Sequence, residues 1–250
     1  LATESIILDG QPLSGEDRYG VWTTSVLDGW WYSPEPKGST EERENADGDY
    51  DLPVYYGARY VTIGGSIRTK GHAQQHQAIN RFVGLLRNKG RLQVSGHGPT
   101  QWADVKRASG FKMEPITDTY AQWQARVKAP DPLKFGDANV FTISPNQTVP
   151  LFHYGNAEAS PIFDITGNMP AGYTLWGPGG KTFVSPSVVS STYPHHLDMS
   201  EGLLKVNGYY WTGQTGNADL WTIPPGQQVL TGLTTTGTGT AKVTVYDTYI

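Results

Sequence analysis

Six histidines, 23 carboxylates and eight tryptophans are the side chains of this 250-residue sequence that could hold a metal, move a proton or stack on a ligand. His72 and His76 stand four apart, which places two imidazoles on one face of a helix and suits zinc. No Glu follows His72, so the metalloprotease pattern is missing, and both residues read as the polar edge of an amphipathic segment. His195-His196 follows a proline and precedes Leu197-Asp198, as at the start of a strand. Asp47, Asp49 and Asp51 alternate like calcium-loop ligands, yet the sixth position is Leu52 rather than Gly and the twelfth is Ala58 rather than Glu. A solvated acidic loop is the expected reading. Gly177-Pro178-Gly179-Gly180-Lys181-Thr182 imitates a phosphate loop, but position 175 is Leu and Thr182-Phe183-Val184-Ser185 reads as a strand, so a hairpin turn is expected. There is no G-x-S-x-G elbow and no nucleotide fingerprint, and nothing in one dimension selects a glycosidase pair from the scattered carboxylates. These residues point to no enzyme, no metal and no cofactor.

The tryptophans (Trp22, Trp30, Trp31, Trp102, Trp123, Trp176, Trp211, Trp221) keep sugar stacking open, although aromatic residues in β proteins mostly fill cores and subunit contacts. Trp30-Trp31 stands out. Adjacent strand residues point to opposite faces, so at most one can enter its own core and the other needs a partner. Trp30, Trp31 and Tyr32 are therefore candidate interface residues.

The elements that would position these groups are mostly strands. Alternating runs around Val61 and Ile63, Leu92 and Val94, and Val243 and Val245 are separated by turns rich in the 30 Gly and 17 Pro. One helix is expected over 71–89, with Ile79, Phe82, Val83 and Leu86 as its apolar stripe and Gly90 as its left-handed stop. Residues 33–52 are nearly devoid of apolar side chains and carry Glu41, Glu42, Glu44, Asp47, Asp49 and Asp51, as in a long surface loop. Ala129-Pro130-Asp131-Pro132 ends a strand, which divides the chain into an N-terminal β domain with one helix (1–132) and a C-terminal all-β domain (138–250). With no cysteine, a disulfide framework is excluded and a reducing compartment is expected. A net charge of −4 without a basic block argues against nucleic-acid binding, no run approaches a membrane span, and the start does not read as a secretory signal.

The order of motifs resembles the distal tail protein (Dit) family of siphophages, of the actinobacteriophage type. In the N-terminal half the resemblance rests on Tyr56-Gly57-Ala58-Arg59-Tyr60-Val61-Thr62-Ile63-Gly64-Gly65, the 71–89 helix, and the strand exit Lys128-Ala129-Pro130-Asp131-Pro132. In the C-terminal half it rests on Gly155-Asn156-Ala157-Glu158-Ala159-Ser160-Pro161-Ile162-Phe163-Asp164-Ile165-Thr166-Gly167, His196-Leu197-Asp198-Met199, Val206-Asn207-Gly208 and Trp221-Thr222-Ile223-Pro224-Pro225-Gly226-Gln227-Gln228. The resemblance implies a tail-tube-like β domain with one α-helix, then a galectin-like β-sandwich. It implies a structural virion protein at the distal end of a phage tail, assembled in the host cytoplasm. Six copies would form a ring between the tail tube and the tail hub or tail-associated lysin, and could carry host-binding proteins. DNA would pass through without specific binding, and the acidic residues from Glu41 to Asp51 would be a lumen or a solvated loop. The galectin sugar motif is missing: Trp176-Gly177 is followed by Pro178-Gly179, with no Glu. A carbohydrate-binding β-sandwich module is the alternative.

Overall fold

A computed structural model describes residues 4–38, 42–45, 47–48, 50, 53–213 and 215–250. The chain forms two compact units, Leu1–Lys134 (with Ile250) and Phe135–Tyr249, dividing at the start of a strand just beyond the Pro130/Pro132 pair.

Unit 1 contains β1 (Ser5–Leu8), β2 (Gln11–Pro12), β3 (Gly15–Glu16), β4 (Gly20–Asp28), β5 (Pro36–Lys37), β6 (Tyr55–Tyr56), β7 (Arg59–Thr69), α1 (His72–Gly84), β8 (Gly90–Ser95), β9 (Gln101–Arg107), β10 (Lys112–Thr117) and β11 (Tyr120–Ala129). The long strands β4, β7 and β11 pair antiparallel in that order, with β3 outside β4. The first half of β11 pairs with β10 and its end with β9, from which β8, β1 and β2 continue. Strict alternation along β11, with Ala121, Trp123, Ala125 and Val127 buried and Gln122, Gln124 and Arg126 exposed, gives the sheet one core face and one polar face.

Helix α1 lies over the core face, but not on the stripe the sequence suggests. Gln75, Ala78 and Phe82 are its buried residues, while Val83 is 39% exposed. The heaviest partners decide the rotation. The Phe82 ring meets Trp123 at 5.5 Å, Phe111 at 5.6 Å and Trp22 at 6.1 Å, and Gln75 reaches the core edge by donating to the Thr117 carbonyl at 2.7 Å. The helix also ends sooner, at Gly84. Leu85 is already extended and Leu86 takes the left-handed conformation (φ 51°), its N–H donating to Asp9 Oδ2 at 3.1 Å. The Arg107 side chain from β9 donates to the Leu85 and Val83 carbonyls, so a residue distant in sequence supplies the positive charge at the helix C-terminus. Gly90 is a close-packing glycine rather than the stop: a Cβ there would lie 2.4 Å from Leu86 Cδ2.

Unit 2 is a β-sandwich. After β12 (Lys134–Ile143) come β13 (Gln147–Leu151), β14 (Ile162–Asn168), β15 (Tyr173–Trp176), β16 (Thr182–Ser185), β17 (His195–Asp198), β18 (Leu203–Val206), β19 (Tyr209–Tyr210), β20 (Val229–Thr234) and β21 (Thr238–Tyr249). One sheet runs β19-β18-β17-β14-β21-β12 and the other β13-β20-β15-β16. Phe163, Ile165, Leu197 and Val243 from the first sheet share a core with Leu175, Phe183 and Leu233 from the second. The 177–181 segment closes the β15–β16 hairpin, as its composition suggests. Asn207 (φ 48°) and Gly208 (φ 81°) make the two-residue turn joining β18 to β19, a primed turn whose twist matches the strands. Asn207→Ala is expected to cost unit 2 about 1 kcal/mol, read by chemical denaturation, because alanine loses the left-handed tolerance of asparagine.

Candidate interaction surfaces

The Trp30-Trp31 pair lies beyond β4, in a bend, so strand alternation does not govern it. Gly29 turns the chain with φ 85°, and a Cβ there would come within 2.0 Å of the Tyr60 carbonyl oxygen. Trp30 then enters the core completely, while Trp31 is 43% and Tyr32 67% exposed. Of the three residues proposed from sequence, Trp30 is thus withdrawn from contact with any partner, and Trp31 and Tyr32 remain available.

A pair of buried cations holds this bend. Arg59, 1% exposed at the start of β7, donates from Nε to the Pro132 carbonyl at 3.0 Å and from Nη1 to the carbonyls of Gly29 (3.1 Å), Trp30 (3.3 Å) and Tyr32 (2.5 Å). Lys134, 4% exposed, donates from Nζ to the same Trp30 carbonyl at 3.1 Å and lies 5.6 Å from the Trp30 ring and 5.9 Å from the Trp31 ring. Burial, reinforced by the Arg59 charge, pushes the Lys134 ammonium down to about 8, and burial also lowers the Arg59 guanidinium. Two cations and backbone carbonyls thereby tie residues 29–32 to the exit of β11.

Beyond this anchored bend comes the stretch 33–58, of which 33–38, 42–45, 47–48, 50 and 53–58 are described. Its root is clamped where β5 pairs with β6 and where the Gly57 N–H donates to the Glu35 carbonyl at 2.8 Å. Glu42, Glu44 and Asp47 are exposed on it, whereas Glu41, Asp49 and Asp51 lie outside the described residues. The stretch also exposes Tyr50 (56%), Val54 (66%) and Tyr55 (68%). These exposed side chains follow Trp31 and Tyr32 in the chain and share their stretch with the carboxylates. Sequence reasoning passed over Tyr50, Val54 and Tyr55; the signal was an apolar group at the foot of an otherwise polar stretch.

Unit 2 carries an aromatic surface. A groove of about 610 Å³ is lined by Val188, Tyr193, Tyr209, Tyr210 and Trp211, among others. Tyr209 and Tyr210 stand out from the edge strand β19, directly after the Asn207-Gly208 turn. Apart from His97, which meets the Trp31 ring edge-on at 5.9 Å and pairs with Glu4 at 3.3 Å, the imidazoles do not gather with these surfaces into a site. His72 and His76 are exposed on α1, near Asp118 and Asn80 respectively. His195 is buried between the Tyr173 hydroxyl (3.3 Å) and the Val188 carbonyl (3.2 Å), and burial lowers its pKa; His196 pairs with Asp164 at 2.7 Å. Among the described residues no group of three or more His, Asp or Glu side chains is placed to hold a metal.

No family profile and no curated protein sequence matches the chain. Solved structures do. The Dit protein of phage SPP1, described as a paradigm of the hub adsorption apparatus in phages infecting Gram-positive hosts, superposes with a TM-score of 0.71 over 99% of this chain and 100% of its own, at 13% identity. This chain has the Dit fold. Chains of the phage p2 baseplate in its activated conformation share that fold at TM-scores of 0.58 (with calcium) and 0.55 (with strontium), each at 10% identity and with at least 98% of both chains covered. The Dit fold spans both units, including the one helix and the sandwich, so the whole chain rather than a module within it is alike. At such identities the surfaces are this chain's own.

Proposed function

We propose that the chain is a structural component of a phage tail tip, forming a closed ring of copies, six by the family resemblance, between the tail tube and the hub or adsorption apparatus. The single observation that carries this reading is the full-length match of both units to the Dit protein of SPP1. In a cyclic ring each copy offers one surface to a different surface of its neighbour. Trp31 and Tyr32 suit that use: they are large and exposed, and their backbone is pinned by Arg59 and Lys134. Such preorganisation lowers the entropy lost on docking. Negative-stain imaging of the purified protein tests the ring. Trp31→Ala with Tyr32→Ala is expected to weaken self-association by at least ~10-fold, since aromatic anchors dominate interface energies. Light scattering over a concentration series checks this; an unchanged assembly would remove these two residues from the interface.

A second reading, a carbohydrate-binding sandwich, is favoured by one observation, the groove of Tyr193, Tyr209, Tyr210 and Trp211. A glycan array separates the two: sugar binding lost in Trp211→Ala would support it, and a ring without glycan binding would leave the structural role alone.

A further inference from the structure

Unit 1 turns one face of its β4-β7-β11-β10 sheet away from its core, and the register shows what that face carries. Cross-strand partners share a face. Lys128 of β11 lies opposite Lys106 of β9 on one side and Tyr60 of β7 on the other. The next rows on the same face are Arg126–Thr62–Asp28, Lys112–Gln124–Gly64–Val26, Glu114–Gln122–Ser66–Thr23 and Tyr120–Arg68–Val21–Glu16. Five cations (Arg68, Lys106, Lys112, Arg126, Lys128) therefore stand against three carboxylates, Glu16, Asp28 and Glu114, in a chain whose net charge is −4. Among the described residues none of the five lies within ion-pairing distance of a carboxylate, whereas Lys70, which pairs with Glu16 at the edge of this face, and Lys89, Arg91 and Lys205 elsewhere all do. Lys106 directly opposite Lys128 is a like-charge pair, which costs the sheet stability. Arg126 and Lys128 both sit over the Tyr60 ring, at 5.4 and 5.5 Å, which gathers two positive charges at one end of the face.

We propose that this sheet face binds the phosphate backbone of DNA. Arg126 and Lys128, two residues apart on one strand, have backbones about 6.7 Å apart and send their cations to the same side of the sheet. Between the charges lie Thr23, Thr62, Ser66, Gln122 and Gln124, the hydroxyl and amide groups that commonly hydrogen-bond phosphate oxygens. Tyr60, Val21 and Val26 are half-exposed apolar side chains on this face, while its middle rows hold Gly64, Ser66, Gln122 and Gln124. The net charge of the whole chain hides this patch because acidic residues cluster elsewhere, Glu42, Glu44 and Asp47 on the 33–58 stretch among them. The proposal stands on the face itself and does not depend on the tail-tip role.

The test uses the full chain and a fluorescein-labelled 20-base-pair duplex, with anisotropy read across a salt series. Binding is expected at a Kd of ~10 μM in 50 mM salt and to be lost by 300 mM, with a log–log salt slope of roughly −2 to −4. Arg126→Glu with Lys128→Glu is expected to weaken binding at least ~10-fold and to make the slope shallower by about 2. Arg126→Gln with Lys128→Gln is the milder variant, and Lys181→Glu with Lys242→Glu in unit 2 is the control that binds like the parent. Absence of binding at 50 mM salt, or an unchanged Kd and slope in both Arg126/Lys128 variants, would overturn the proposal. So would poly-glutamate displacing the duplex at a lower charge concentration than unlabelled DNA does, which would assign the face to an acidic protein segment.

Discussion

Arg59→Ala is expected to lower the stability of unit 1 by about 4 kcal/mol, enough to leave a marginal domain largely unfolded. The guanidinium is the hydrogen-bond partner of four backbone carbonyls, at Gly29, Trp30, Tyr32 and Pro132, that sit 27 to 73 residues away in sequence. Removing it strands buried acceptors, each worth roughly 1 kcal/mol or more, and leaves a cavity beside Trp30. Arg59→Lys is expected to recover little, because an ammonium cannot span carbonyls that a planar fork reaches from both Nε and Nη1. Urea denaturation followed by tryptophan fluorescence measures the loss. A change under 1 kcal/mol in Arg59→Ala would mean that the bend at 29–32 holds its shape without the guanidinium. The same variant should release Trp31 and Tyr32 from their fixed backbone, so the self-association proposed for them is expected to fail with the fold.

The stability of unit 1 is also expected to rise with pH between about 8 and 10.5, and Lys134 is the cause. Its ammonium is pushed down to about 8 in the folded chain from an ordinary value of 10.5. The unfolded chain therefore binds more protons than the folded chain in that window, and the free energy of unfolding increases as pH climbs through it. The full difference is about 3 kcal/mol. Below pH 8 the folded chain carries the buried charge at a constant cost. Lys134→Met should then be more stable than the parent at pH 7 by about 2 kcal/mol, since the Trp30 carbonyl keeps its bond from Arg59, and the gap should close as pH approaches 10.5. Comparing parent and variant cancels the groups common to both, including the Tyr173 and Tyr249 phenols that burial raises. A gap that stays constant from pH 7 to 10 would exclude Lys134 as the source.

These two residues show where sequence reading stopped. Arg59 stands within a motif legible as Dit-like, and Lys134 falls just past the break between the units, yet neither announces itself as buried. A cation beside a strand is normally an exposed one. Only the return of the chain at 29–32, and its exit at Pro132, bring carbonyls around these side chains. Trp30 illustrates the same point. Strand alternation was a sound rule applied to residues that are not in a strand, because Gly29 ends β4 first.

The rest divides along one physical line. Features set by neighbours in sequence were readable: the alternation of the strands, the α-helix, the Asn207-Gly208 hairpin, the turn at 177–181, and the strand end before Pro130 and Pro132. Each depends on backbone preferences or a period that a few adjacent residues impose. Features set by long-range contact were not. The rotation and early end of α1 follow from Trp22, Trp123, Asp9 and Arg107, and the basic sheet face exists only because β9, β10, β11, β7 and β4 come into register. Composition alone bounded this protein as a β-rich chain without a cysteine and with a small negative charge. The tertiary structure decided which aromatics are core, which remain for partners, and where the positive charge gathers, because burial and charge density belong to surfaces that no single stretch of sequence contains.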